Sequence, residues 1–263
     1  YKDMNLGIDR MSLAITAMGD PCKETPAIHI AGTNGKGSIG AFINSVLSLV
    51  NIKTGVTTSP HLVDWVERIC INKVPISKEE FQSLSLSLSP IAKKYNLTPF
   101  EYLIAIALKY FTLREVELLI LEVGLGGRLD ATTAHHYRPI IAFGAIGLDH
   151  CEDLGNSLEK VAIEKAAVIT TKSTVITATQ HNIVKRVFEE TAKRKQAVIH
   201  WVDPLPSDWR PSCLALSAGP IPAEGLPAAV AIASFMSENI TFLSCNPLLQ
   251  VLQRDILIPF SGI

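Results

Sequence analysis

The chain has 263 residues, of which 48% are hydrophobic and 19% charged, with a formal net charge of −1. That length suits one large domain or one and a half ordinary ones, and the balance is that of a soluble globular protein with a sizeable core rather than a disordered chain. Near-neutral charge argues against a general nucleic-acid footprint, and the longest apolar run, Leu226 to Met236, is too short to span a bilayer. No basic-then-apolar leader opens the chain; it begins at Tyr1 without a methionine, so a cut N-terminus is expected. Cys22, Cys70, Cys151, Cys213 and Cys245 are scattered, odd in number and without metal-ligand spacing. A reducing, cytoplasmic setting is expected from them.

In chain order, Ala27–Ala31 reads as a strand and Ser38–Val50 as a helix, with Ile39, Phe42, Ile43, Val46 and Leu47 at helical spacing. Lys53–Thr57 reads as a strand. Ser77–Tyr95 and Pro99–Phe111 read as helices, the first opened by Ser77 with Glu80 three residues on. Glu117–Val123 and Pro139–Ile146 look like buried strands, Leu158–Lys165 a short helix, Ala166–Thr170 and Thr174–Ala178 strands, His181–Lys195 a charged helix and Ala197–Val202 a last strand. Such alternation predicts an α/β fold with a mostly parallel sheet flanked by helices.

Composition changes after Asp203. A Pro/Trp-rich stretch follows, and from Pro211 to Ile263 only 4 of 53 residues are charged, while the tail holds six of the fifteen prolines. The expected division is a domain over 1–203 and a linker with an atypical tail over 204–263.

At the seam of the first strand and helix stands Gly32-Thr33-Asn34-Gly35-Lys36-Gly37-Ser38. Glycines let successive N–H groups turn inward as an anion nest, and the helix N-terminus adds its dipole. Lys36 would reach the β/γ-phosphates of a nucleotide and the Ser38 hydroxyl would sit near Mg²⁺. The general phosphate-loop spacing is not met, because Gly37 separates Lys36 from Ser38. A plain glycine-rich turn is the alternative, disfavoured by the strand before, the helix after and the lysine within.

This variant, GTNGKGS, resembles the nucleotide loop of the Mur ligase superfamily, and HIAGTNGKGS resembles its folate branch, the folylpolyglutamate and dihydrofolate synthases. Five further stretches resemble that branch in order: Thr54–Leu62 with Glu67-Arg68-Ile69; Thr98-Pro99-Phe100-Glu101; Leu121–Thr132; Gly147–His150; and Ile163–Ile169. The resemblance covers roughly residues 5–200 and implies the P-loop Mur-ligase-type central domain. It implies ATP and two Mg²⁺ ions as cofactors, with Ser59, Glu122 and His150 as metal ligands and Lys165 carbamylated to help hold the second ion. Lys36, His150 and Lys165 would then be the catalytic residues. A glutamate near the end of a buried strand fits this reading, since a buried carboxylate is costly without a cation. Thr98–Glu101 reads equally as a helix cap with a capping box and receives no catalytic role. Thr133 stands where the family usually has asparagine, which could disturb a local hydrogen bond. His135, His136 and His181 read as ordinary loop or surface histidines.

The implied reaction is ATP-dependent ligation of L-glutamate to folate or dihydropteroate through an acyl phosphate, by a monomer with small-molecule partners and neither nucleic acid nor membrane. The family's second domain carries W-P-G-R and D-G-A-H-N stretches; neither occurs here. A truncation or frameshift near Arg210 is therefore expected, with weak ATP binding and little ligation from this chain alone. The alternatives are a non-catalytic nucleotide-binding remnant and a cell-wall Mur ligase. A generic GTPase or kinase would need a base-recognition motif such as N-K-x-D, which is not found.

Overall fold

The structure, a computed structural model, describes residues 7–49, 51–148 and 156–202. Helix α1 (Ile8–Ala17) precedes strand β1 (Ala27–Ala31), α2 (Lys36–Leu49) and β2 (Thr54–Thr57). A hairpin of β3 (Ile69–Ile71) and β4 (Val74–Pro75) follows, then α3 (Lys78–Lys94), α4 (Pro99–Leu113), β5 (Leu118–Glu122) and β6 (Ile140–Phe143). The described chain continues with α5 (Leu158–Ala166), β7 (Thr174–Ala178), α6 (Asn182–Lys195) and β8 (Val198–Val202).

One eight-stranded sheet runs in the order β4-β3-β2-β5-β1-β6-β7-β8. All neighbours pair in parallel except the β2–β3 and β3–β4 pairs. Period-2 side-chain alternation persists even in strands buried on both faces. Leu119 and Leu121 of β5 pack with α1, α3 and α4, whereas Leu118 and Ile120 pack with Ile39, Ile43 and Leu47 of α2. Across β6 and β7, Ile141, Phe143 and Val175 meet Val161, Val184 and Phe188 of α5 and α6. The chain travels from β1 to β2 through α2 on one face, and from β6 to β7 and β8 through α5 and α6 on the other. Right-handed crossovers in opposite directions require opposite faces, so the winding parts at β1. Outside the carboxyl ends of strands at such a point lies the crevice where α/β sheets bind ligands.

Several elements differ from the sequence expectation. Ala166–Thr170 is no strand: Ala166 ends α5, and Val168 N and Ile169 N close turns onto Lys165 O and Ala166 O. Its apolar character comes from Val168 and Ile169 packing under the sheet, not from strand pairing. Helix α1 has no counterpart in the sequence expectation, although Met11, Ala14 and Ile15 stand at helical spacing and are buried. The β3–β4 hairpin is likewise additional to that expectation; it turns through Asn72 and Lys73, both at positive φ, a conformation asparagine adopts more readily than most residues. Helix α2 starts at Lys36, two residues before the expected start. Helix α3, by contrast, matches the expectation: the alternation of leucine and serine mimics a strand, yet Ser77 and its N3 Glu80 commit it to helix, leaving Leu88 buried and Leu86 exposed. Residues 204–263, the expected atypical tail, lie outside the described residues, as do Cys151, Cys213 and Cys245. No helix among the described residues is long and apolar enough to cross a membrane.

Candidate nucleotide site

The loop leaving β1 is cinched to the segment leaving β6. Gly32 has φ +141°, and a Cβ there would lie 2.9 Å from the Gly144 nitrogen, so only glycine allows this approach. Thr33 N and Asn34 N donate to Ala145 O at 2.9 and 3.2 Å. The Thr33 hydroxyl donates to Gly147 O and accepts from Gly147 N, both at 3.1 Å. Gln180 completes the clamp: its amide donates to Gly144 O and Thr177 Oγ1 and accepts from Ile146 N, each at 3.0 Å. The Thr33 and Asn34 amides are thus spent within the protein. Those from Gly35 to Ser38 lead into the first turn of α2, where N–H groups have no intrahelical acceptor and the dipole is positive. Nothing in the sequence marked Gln180, because its role depends on meeting Gly144, 36 residues away.

Lys36 folds back over this loop, donating to Gly32 O at 3.1 Å and Thr33 O at 3.2 Å. Lys165 reaches the same Gly32 oxygen from α5, also at 3.1 Å, and is 4% exposed. Two lysines 129 positions apart therefore converge on one carbonyl. Glu122, the last residue of β5, is 5% exposed, and its Oε2 accepts the Ser59 N–H at 3.3 Å. A Cβ at Gly37 would lie 3.8 Å from that oxygen, so the carboxylate borders the first turn of α2. Burial pushes the Glu122 carboxyl up to about 7, against the pull of Lys36 and the Ser59 N–H. A carboxylate so poorly solvated is one that a cation would stabilise. Among the described residues no group of three histidine, cysteine or carboxylate side chains gathers as a metal cage. Glu122 Oε2 lies against the Ser59 N–H and the first turn of α2, to which Ser38 belongs; a carboxylate and serine hydroxyls are hard oxygens, the ligand type that Mg²⁺ takes. His150 lies outside the described residues.

Beyond Ser59 the chain gathers around Glu67 and Arg68. The Glu67 carboxylate accepts N–H groups from Leu62, Val63 and Asp64 at 2.8, 3.0 and 2.8 Å, which holds it below its ordinary range. Arg68 Nε donates to His61 Nδ1 at 2.8 Å, and its guanidinium lies 4.7 Å from the Trp65 ring centre. The Glu67-Arg68 pair noted in the sequence therefore shapes this loop, and leaves Leu62 and Val63 exposed.

After Glu122, the Gly124–Asp130 loop returns on itself. Asp130 Oδ2 accepts Gly124 N at 2.9 Å and Leu125 N at 3.0 Å. Thr133, the departure from the usual asparagine, donates its hydroxyl to Gly127 O at 2.8 Å, so it supplies a loop hydrogen bond. Thr98–Glu101 forms the capping box expected of it, and Glu101 also pairs with Arg10 of α1 at 2.8 Å. His135 Nε2 donates to Thr25 O at 3.0 Å, just before β1, and His181 caps α6.

No protein-family model matches the chain. It is 38% identical over 196 residues to the dihydrofolate synthetase of Saccharomyces cerevisiae, covering 72% of this chain and 46% of the yeast protein. It is 37% identical over 199 residues to the Bacillus subtilis dihydrofolate synthase/folylpolyglutamate synthase, covering 73% and 46%. The fold superimposes with a TM-score of 0.73 and 30% identity on the Mycobacterium tuberculosis folylpolyglutamate synthase complexed with ADP and AMPPCP, covering 76% of this chain and 49% of that one. The chain thus spans about half the length of the curated relatives it matches.

Proposed function

We propose that this chain, a member of the folylpolyglutamate and dihydrofolate synthase family, supplies the ATP-binding side of an amide ligase that joins L-glutamate to folate or dihydropteroate. The observation that carries this reading is the convergence of Lys36, Lys165 and Glu122 on the loop between β1 and α2. In the proposed reaction an acceptor carboxylate attacks the γ-phosphorus of ATP and ADP leaves. The α-amine of L-glutamate then attacks the acyl phosphate, phosphate departs, and the amine proton is lost to solvent.

Such chemistry asks for positioning and charge stabilisation more than covalent catalysis. The amides from Gly35 to Ser38 would accept the phosphates, and Lys36 would leave the Gly32 and Thr33 carbonyls to pair with phosphate oxygens. Glu122 and Ser59, with Ser38 beside them, would hold Mg²⁺. When bound, the ion supplies positive charge to the phosphate oxygens. Lys165, carbamylated as the resemblance implies, and His150 complete the proposed second cation site; the buried position of Lys165 Nζ against the loop supports its part. Residues 1–203 are proposed as the ATP-binding unit, acting as a cytoplasmic monomer.

The test is calorimetric titration of Mg–ADP into the 263-residue chain, followed by ADP release from ATP with and without L-glutamate and either acceptor. Mg–ADP uptake with release that requires both acceptor and glutamate supports the ligase. Uptake without glutamate-dependent release reduces the assignment to a nucleotide-binding part, and no uptake refutes the reading.

A further inference from the structure

Behind the site runs a buried polar chain that the reaction does not use. Arg138, just before β6, has an NH1 nitrogen 3.0 Å from His29 Nδ1 in the middle of β1. His29 Nε2 lies 2.8 Å from Thr132 Oγ1, and Thr132 Oγ1 lies 2.5 Å from Asp130 Oδ1. Asp130 then accepts the N–H groups of Gly124 and Leu125. Relative exposures are 8% for Arg138, 0% for His29 and Thr132, and 3% for Asp130. His29 shares a sheet face with Ala27 and Ala31, which belong to different apolar clusters, so the polar chain fills the seam between them.

With the Asp130 carboxylate ionised, as its three backbone N–H donors favour against the burial that raises its pKa, hydrogen-bond direction is set at every link. Arginine only donates, so His29 Nδ1 must accept and its proton must sit on Nε2. Nε2–H donates to the Thr132 oxygen, which leaves the hydroxyl proton for Asp130. His29 is held neutral by burial and by the Arg138 charge. Asp130 then has one oxygen occupied by Thr132, through its N–H and hydroxyl, and the other aimed at the backbone that follows Glu122. That loop is the bridge between two site residues: it leaves Glu122 at one end, and at Gly127 a Cβ would lie 3.2 Å from the Lys165 Cα.

We propose that Arg138, His29 and Thr132 are positioning residues which, through Asp130, set the Gly124–Gly127 loop and hence the separation of Glu122 and Lys165. The functional part of this proposal rests on the ligase reading above; the geometric part does not. The order of protons is the device. A buried polar chain with one allowed direction fixes one arrangement of its end, because any reversal strands a buried donor or acceptor.

The full chain tests it with Thr132→Val, which keeps the shape and removes the hydroxyl, against Thr132→Ser, which restores it. Amide exchange of Gly124 and Leu125 should quicken at least about tenfold in the valine variant and return to within about threefold of wild type in the serine variant. Mg–ADP affinity should follow the same pattern, weakening about fivefold and recovering. Unchanged exchange at Gly124 and Leu125, or an increase matched by the β7 amides, overturns the proposal by making Thr132 a general stability contributor. Should the valine variant fail to fold, nitrogen-15 spectra of wild-type His29 decide. A protonated Nε2 with a bare Nδ1 supports the relay, and a protonated Nδ1 overturns it. A wild-type chain that binds no Mg–ADP overturns the ligase reading, while the exchange ratio still judges the geometry.

Discussion

Replacing Glu122 by glutamine should stabilise the metal-free protein in a pH-dependent way. The folded carboxyl stands near 7, against 4.5 as its ordinary value. Between those values the folded state keeps a proton that the unfolded chain has released, so this contribution is intact below the unfolded value and is lost as pH rises through the folded one. The difference of about 2.5 units corresponds to about 3 kcal/mol at 1.36 kcal/mol per unit. Glutamine keeps the shape and can still accept the Ser59 N–H, but carries no charge to desolvate. The stability gap between Glu122→Gln and wild type should therefore grow by about 3 kcal/mol from about pH 4.5 to about pH 8. Urea unfolding of both proteins in EDTA measures it. The wild-type profile alone would conceal the effect, because burial pulls His135 from 6.5 down to about 4. That group has the opposite slope, its stability being present above its unfolded value and lost as pH falls through the folded one. Gaps equal within about 0.5 kcal/mol at the two pH values would refute the claim that Glu122 is a strained, desolvated carboxylate.

Lys36→Met should weaken AMPPCP binding by about tenfold or more in calorimetry. Because Lys36 rests on loop carbonyls, its loss should move folding stability by no more than about 1 kcal/mol. Arg10→Met leaves Glu101, 3% exposed, without its cation and should cost about 3 kcal/mol in urea unfolding, with most of it recovered by adding Glu101→Gln. Phe111→Ala removes a fully buried ring packed against Gly55 and should cost about 4 kcal/mol; a loss below about 1 kcal/mol would contradict the packing described.

Short-range chemistry was legible in the residues. Ser77 and Thr98 begin helices because each side chain accepts the N–H of the residue three further on, a bond made wholly within one turn. The run GTNGKGS announces an anion loop by its glycines and lysine, and the apolar segments around it announce a parallel sheet. Glu122 was readable too, as a carboxylate at the end of a strand too apolar to be exposed. Misreadings arose where one local pattern serves two outcomes, as in Ala166–Thr170, whose apolar residues pack equally well from a turn. What only the tertiary structure decided are the meetings across long separations. Lys165 reaches Gly32 O over 133 residues, His29 meets Thr132 over 103, and Gln180 ties the ends of β6 and β7. No period or cap in a sequence encodes such partners. They follow from which strands become neighbours, and that is settled by burying all three apolar clusters at once around a single sheet.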